Sequence, residues 1–164
     1  MRVTSVIAAV AALGAAGSAS AVSYLFEFPI DGLQEAPVPV VTPGTGFGSV
    51  AYDDITNVLS WTITYSGLIG TPTVAHFHGP APVGVAALVR LDLVALSGGS
   101  IASPMVGMTM ISQASEQELL DGLWYVNIHS THRPGGEIRG QVVPAPGALA
   151  LLGLGGLVSV RRRR

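Results

Sequence analysis

The chain has 164 residues, 49% of them apolar and only 11% charged, with a formal charge of −2 and no cysteine. The absence of cysteine excludes thiolate metal sites, cysteine nucleophiles and disulfide staples, so a packed core must supply the stability. Five of the eight arginines (Arg2 and Arg161 to Arg164) lie at the chain ends. The stretch between keeps Arg90, Arg133 and Arg139 against all ten acids and no lysine, a formal charge of −7, which excludes nucleic-acid binding through backbone charge.

Residues 1–21 read as a secretory signal. Arg2 supplies the positive start, Val6 to Ala16 is an apolar run of 11 residues, too short to span a bilayer of roughly 30 Å, and Ala19-Ser20-Ala21 is an A-x-A cleavage site. Cleavage is expected after Ala21, leaving a domain over residues 22–143.

Within that domain Tyr24 to Ile30 forms a first strand, and the Pro- and Gly-rich Asp31 to Gly46 a long loop. Gly46 to Tyr52 and Val58 to Tyr65 read as a hairpin about the Asp53–Asn57 turn, with Leu59, Trp61, Ile63 and Tyr65 on one face. Thr73 to His78 is a strand ended by Gly79-Pro80, with Phe77 aimed at the core. Further strands are expected over Ala86 to Leu93, Met105 to Ser112, Trp124 to Ser130 and Gly136 to Val143. The one helical signal is Ser115 to Gly122, with Ser115 and Glu118 as a capping box and Gly122 to end it. Short strands with Gly, Pro and Asp turns imply an all-β antiparallel sandwich or flattened barrel with one short helix, flanked by two targeting helices. Trp61 and Trp124 are expected in its core.

The end of the chain is tripartite. Val143-Pro144-Ala145-Pro146 precedes the apolar run Gly147 to Val160, then Arg161 to Arg164. Fourteen residues make a helix of about 21 Å, short for a span, and the arginines favour a cytoplasmic end. This tail resembles a PEP-CTERM sorting signal, with Val-Pro-Ala-Pro where that family has Val-Pro-Glu-Pro. The resemblance implies a Gram-negative protein held transiently in the inner membrane. The resemblance further implies cleavage by an exosortase and release to the outer surface or beyond. A plain tail anchor is the alternative.

His76 and His78 stand at i and i+2, which in a strand puts both rings on one face roughly 7 Å apart along the backbone. His129 lies on a later strand, with Asn127 and Thr131 on its face. Three neutral imidazoles on sheet strands can bind Cu or Zn. The other reading has them stacking and hydrogen-bonding within the sheet. His132 is expected exposed in a turn. Met108 and Met110 share a face and are soft donors for Cu(I), but methionines in an apolar strand more often fill core gaps. Glu137, Arg139 and Gln141 are expected to point outward from Ile138, Gly140 and Val142, with Glu137 and Arg139 pairing on the surface or across strands. Gly135-Gly136 is expected to supply a turn with positive φ. No catalytic motif was found.

Three blocks in order, His76-Phe-His-Gly-Pro-Ala81, Trp124-Tyr-Val-Asn-Ile-His129 and Pro134-Gly-Gly-Glu-Ile-Arg-Gly-Gln141, resemble the CHRD domain, the module named after chordin. The resemblance covers about Tyr24 to Val143. It implies an extracellular binding module, which in bacteria occurs in secreted proteins. Two function classes are open, a Cu/Zn-binding or redox protein with His76, His78 and His129 as ligands, and a non-enzymatic surface or matrix module. Its partners would be an exopolysaccharide or a surface protein. The His-x-His strand also resembles that of copper-zinc superoxide dismutases, although the bridging cysteines of that family are absent.

Overall fold

The computed structural model describes residues 23–144. Residues 1–22 and 145–164, with Ala19, Ala21, Ala145 and Pro146, lie outside the described residues, whereas Val143 and Pro144 at the start of the tail are described, Val143 exposed and Pro144 bridged to Phe26. Among those described, no helix is long and apolar enough to cross a membrane.

The first three strands follow the alternation in the sequence. β1 (Ser23–Asp31), β2 (Thr45–Asp53) and β3 (Val58–Ser66) form an antiparallel meander in continuous register. Phe26, Phe28, Ile30, Val50, Tyr52, Leu59, Trp61 and Ile63 face inward and are buried. The β2–β3 turn forms because the Asp53 carboxylate accepts from the N–H groups of Ile55 and Thr56, while Asn57 takes the left-handed φ of 57°.

The remaining strands are β4 (Pro72–His78), β5 (Val89–Asp92), β6 (Met105–Met110), β7 (Tyr125–Ser130) and β8 (Ile138–Gln141). All eight strands form one antiparallel sheet in the order β5-β4-β7-β8-β1-β2-β3-β6. Its two halves join at β1–β8, where Asp31 pairs with Arg139. The sheet then curls over itself. Trp61 on β3 meets Phe77 on β4 edge-on at 5.6 Å, although four strands separate them in the sheet, and Trp124 closes the same cluster 5.9 Å from Phe77. The architecture is therefore all-β, a curled sheet of the sandwich or barrel kind, with both tryptophans in its core.

Several expectations needed correction. β5 spans only Val89–Asp92, because the Asp92 side chain caps the short helix α1 (Leu93–Leu96) by accepting from Ala95 N–H at 3.0 Å. The main helix, α2 (Gln113–Leu120), starts earlier than the proposed capping box. Its cap is Ser112, which accepts from Ser115 N–H. Glu118 instead accepts from Trp124 Nε1 and pairs with Arg90. Gly122, at φ 70°, does follow the helix end. Met108 and Met110 are not gap-fillers: they stand on the outer face of edge strand β6, 68% and 69% exposed, while Met105 is buried.

Candidate metal centre

The inner face of β4, β7 and β8 carries Ala75, Phe77, Val126, Ile128 and Ile138, all fully buried. The alternate residues form the outer face, and this is where outward-pointing side chains were expected at the surface. Those of β7 and β8 are buried instead, while on β4 Val74 is exposed and His76 is half-buried. Arg139 is 1% exposed and Glu137 0%, and β7 is buried along its whole length. Three loops cover this face. The segment after β1 brings Glu35 and Thr42, the β3–β4 connection brings Ile69 and Gly70, and the β4–β5 loop brings residues 81–87.

The polar side chains beneath these loops satisfy the loop backbones. Glu137 accepts from Thr42 Oγ1 at 2.6 Å, Ile69 N–H at 2.7 Å, Gly70 N–H at 3.3 Å and the Ser130 hydroxyl. Burial alone would raise its pKa, but these bonds together hold it below the usual carboxylate value. Arg139 donates to the Val85 carbonyl at 2.9 Å, to Pro82 and to Gln141, and its guanidinium lies 3.5 Å from the centre of the Tyr125 ring. The expected Glu137–Arg139 pair therefore does not form. Gln141 holds the Ala81 and Gly122 carbonyls.

The three sequence-marked histidines meet on this face. His76 pairs across the strands with Asn127 and His78 with Tyr125, which leaves His129 diagonal to His76. Ring centroids are 5.4 Å apart for His76–His78, 5.2 Å for His76–His129 and 5.9 Å for His78–His129. One ring nitrogen from each lies within 4.8 Å of the others. His132 is exposed in its turn. The turn also uses Gly136 at φ 130°, where a Cβ would lie 2.4 Å from Asn127 Oδ1.

Hydrogen bonding fixes the tautomers of two rings. His78 Nδ1 lies 3.0 Å from the Ala87 carbonyl and His129 Nδ1 lies 2.9 Å from the Pro134 carbonyl. A carbonyl only accepts, so each Nδ1 carries the proton and each Nε2 keeps its lone pair. Metal-binding histidines are commonly oriented in this way. His78 is further held by stacking on Tyr125 at 5.0 Å and 7°, on the ring that Arg139 covers. Burial pushes both His78 and His129 below the ordinary imidazole pKa, more than their carbonyl bonds raise them.

His78 Nε2 is buried and has no hydrogen-bond partner among the described residues. His129 Nε2 stands 3.4 Å from His76 Nδ1, longer than the usual N–H bond. It matches the roughly 3.4 Å between two nitrogens bound tetrahedrally to one ion at about 2.0–2.1 Å. A depression of about 510 Å³ elsewhere, lined by Ser49, Ser60, Thr62, Val106 and Met108 among others, carries no titratable group.

Sequence reasoning missed Glu35. It is buried, its Oε2 accepts from Asn127 Nδ2 at 3.4 Å, and burial pushes its pKa up to about 7, although nearby Arg139 acts to lower it. It sits in a loop without periodicity, so no local signal marked it.

Fold and site together define a small all-β domain, a curled antiparallel sheet with a buried polar face on which three histidines converge. The chain matches the CHRD domain over residues 26–142 and belongs to that family. Comparison with curated proteins and with solved structures returned no match.

Proposed function

We propose that the chain is an exported, non-enzymatic CHRD module that holds one Cu or Zn ion through His76, His78 and His129. The observation that carries this reading is the meeting of three ring nitrogens within 4.8 Å on a buried face. The buried, unpartnered Nε2 of His78 supports it, because an isolated stacking role leaves that lone pair unsatisfied. The carbonyl bonds at the far nitrogens supply the usual support for a ligating imidazole.

The family and the two targeting segments support an exported compartment. CHRD domains are typically extracellular or secreted. The signal over residues 1–21 and the tail from Val143 to Arg164 support export, an inner-membrane intermediate and exosortase release to the surface. There the module would take part in an exopolysaccharide or protein matrix.

The test is titration of the purified full chain with Zn(II) and with Cu(II), followed by metal analysis after desalting. One equivalent should be retained. His78→Ala should abolish retention, whereas His132→Ala should leave it unchanged. Equal retention by the wild type and His78→Ala would refute the site.

A further inference from the structure

Three buried side-chain atoms in the described residues have no hydrogen-bond partner: His78 Nε2, Asn127 Oδ1 and Glu35 Oε1. Each of the three side chains is more than nine-tenths buried. With Glu35 ionised, above its folded-state pKa of about 7, all three atoms are acceptors. His78 has its proton on Nδ1, and Asn127 has its amide nitrogen turned to Glu35 Oε2. Among the described residues no hydrogen-bond donor reaches any of the three. The three residues are neighbours in the fold. Asn127 is the cross-strand partner of His76 and shares a strand face with His129, and Glu35 closes over Asn127.

A metal ion on the three rings satisfies the first of these atoms through the lone pair of His78 Nε2, whereas Glu35 stands outside the group of ligand atoms that lie within 4.8 Å of one another. The two oxygens need hydrogen-bond donors. A water molecule on the same ion has two protons to give, and coordination makes it a stronger donor. From this pattern we infer that the metal is held by three imidazoles and one exchangeable water, and that Asn127 Oδ1 and Glu35 Oε1 receive the protons of that water. This inference rests on the three-histidine reading and deepens it. Three protein ligands plus water is the arrangement of an open site, whereas structural zinc sites are closed by four protein ligands. The chemical class that the fourth position accepts follows. Small neutral ligands that carry protons, such as water or ammonia, meet two acceptors. An acceptor-only anion such as azide meets two oxygens with nothing to donate. Glu35 and Asn127 are positioning residues in this account, acting through the water.

The test loads the full chain with one equivalent of Cu(II) at pH 8, where Glu35 is ionised, and measures two quantities. Water-proton relaxation reports an exchanging bound water. Titration with azide, followed by its charge-transfer absorption, reports how readily that water is displaced. The wild type should enhance relaxation above the metal-free level, and saturating azide should remove the enhancement. Glu35→Ala and Asn127→Ala should each still bind Cu(II) one to one and bind azide about tenfold more tightly, since the water has lost one acceptor. Asn127 is neutral, so its effect is separate from loss of charge. The wild-type relaxation measurement decides the matter even where a variant fails to fold. A Cu(II)-loaded chain without relaxation enhancement overturns the water, and azide affinity unchanged in both folded variants overturns the role given to Asn127 and Glu35; either result leaves the three-histidine site standing. A chain that binds no Cu(II) overturns both.

Discussion

Replacing Glu137 by glutamine tests whether the buried polar face holds the covering loops in place. The carboxylate takes four hydrogen bonds: Thr42 and Ile69 N–H on Oε1, Ser130 and Gly70 N–H on Oε2. Glutamine keeps one acceptor oxygen and sets an NH₂ where the other stood. That group faces a backbone N–H that only donates, so the contact becomes repulsive and one set of bonds is lost. Hydrogen bonds to a charged group contribute about 1.5–3 kcal/mol each. Two such losses give a destabilisation of roughly 3–5 kcal/mol, a large fraction of the stability of a small domain. Urea unfolding at pH 7, followed by the fluorescence of Trp61 and Trp124, measures it. The pH dependence gives a second check. The folded-state pKa of Glu137 lies below its ordinary 4.5, so its contribution is fully present above about pH 4.5. It is lost as pH falls through the lower, folded-state value, and the glutamine variant lacks this component of acid sensitivity. A loss below about 1 kcal/mol at pH 7 would refute the account of how the loops are fastened.

Other outcomes follow from the same structure. Trp61→Ala removes a buried ring packed on Phe77 and should cost roughly 3–5 kcal/mol in the same urea assay; a cost under about 1 kcal/mol would contradict its core position. Glu35 keeps its proton in the folded state up to about pH 7, against an ordinary 4.5, so it makes the metal-free chain less stable as pH rises through that window. Glu35→Gln should match the wild type near pH 4 and exceed it by up to about 3 kcal/mol at pH 8; an unchanged pH profile would refute this. Mass spectrometry of protein released from cells should show loss of residues 1–21 and of Arg161–Arg164, and released protein that still ends in Arg164 would exclude exosortase processing.

Local pattern revealed the meander and the histidines, because both depend on alternation along one strand. Leu59, Trp61 and Ile63 alternate with Ser60, Thr62 and Thr64, and the buried set is the apolar one. The same rule misplaced Glu137, Arg139 and Gln141. Their alternation with Ile138 and Gly140 is real, but a polar face reads as solvent-facing only while nothing covers it. The covering segments come from residues 32–44, 67–71 and 79–88, and only the fold reveals that they lie over β7 and β8. Glu35 was missed for the same reason. The methionines of β6 failed in the opposite sense: an apolar strand at the edge of a sheet exposes one face, so Met108 and Met110 reach solvent.

The most direct measurement of the central claim is X-ray absorption at the zinc edge on the full chain carrying one equivalent of Zn(II). His76, His78 and His129 should appear as three imidazole nitrogens at about 2.0–2.1 Å with their outer-ring scattering, and His129→Ala should reduce the number of imidazoles or release the metal. Because burial lowers the pKa of His78 and His129, the spectrum should persist to pH values below the ordinary imidazole value of 6.5 before acid displaces the ion. A zinc environment of oxygen ligands without imidazole scattering, or one unchanged by His129→Ala, would contradict the three-histidine centre.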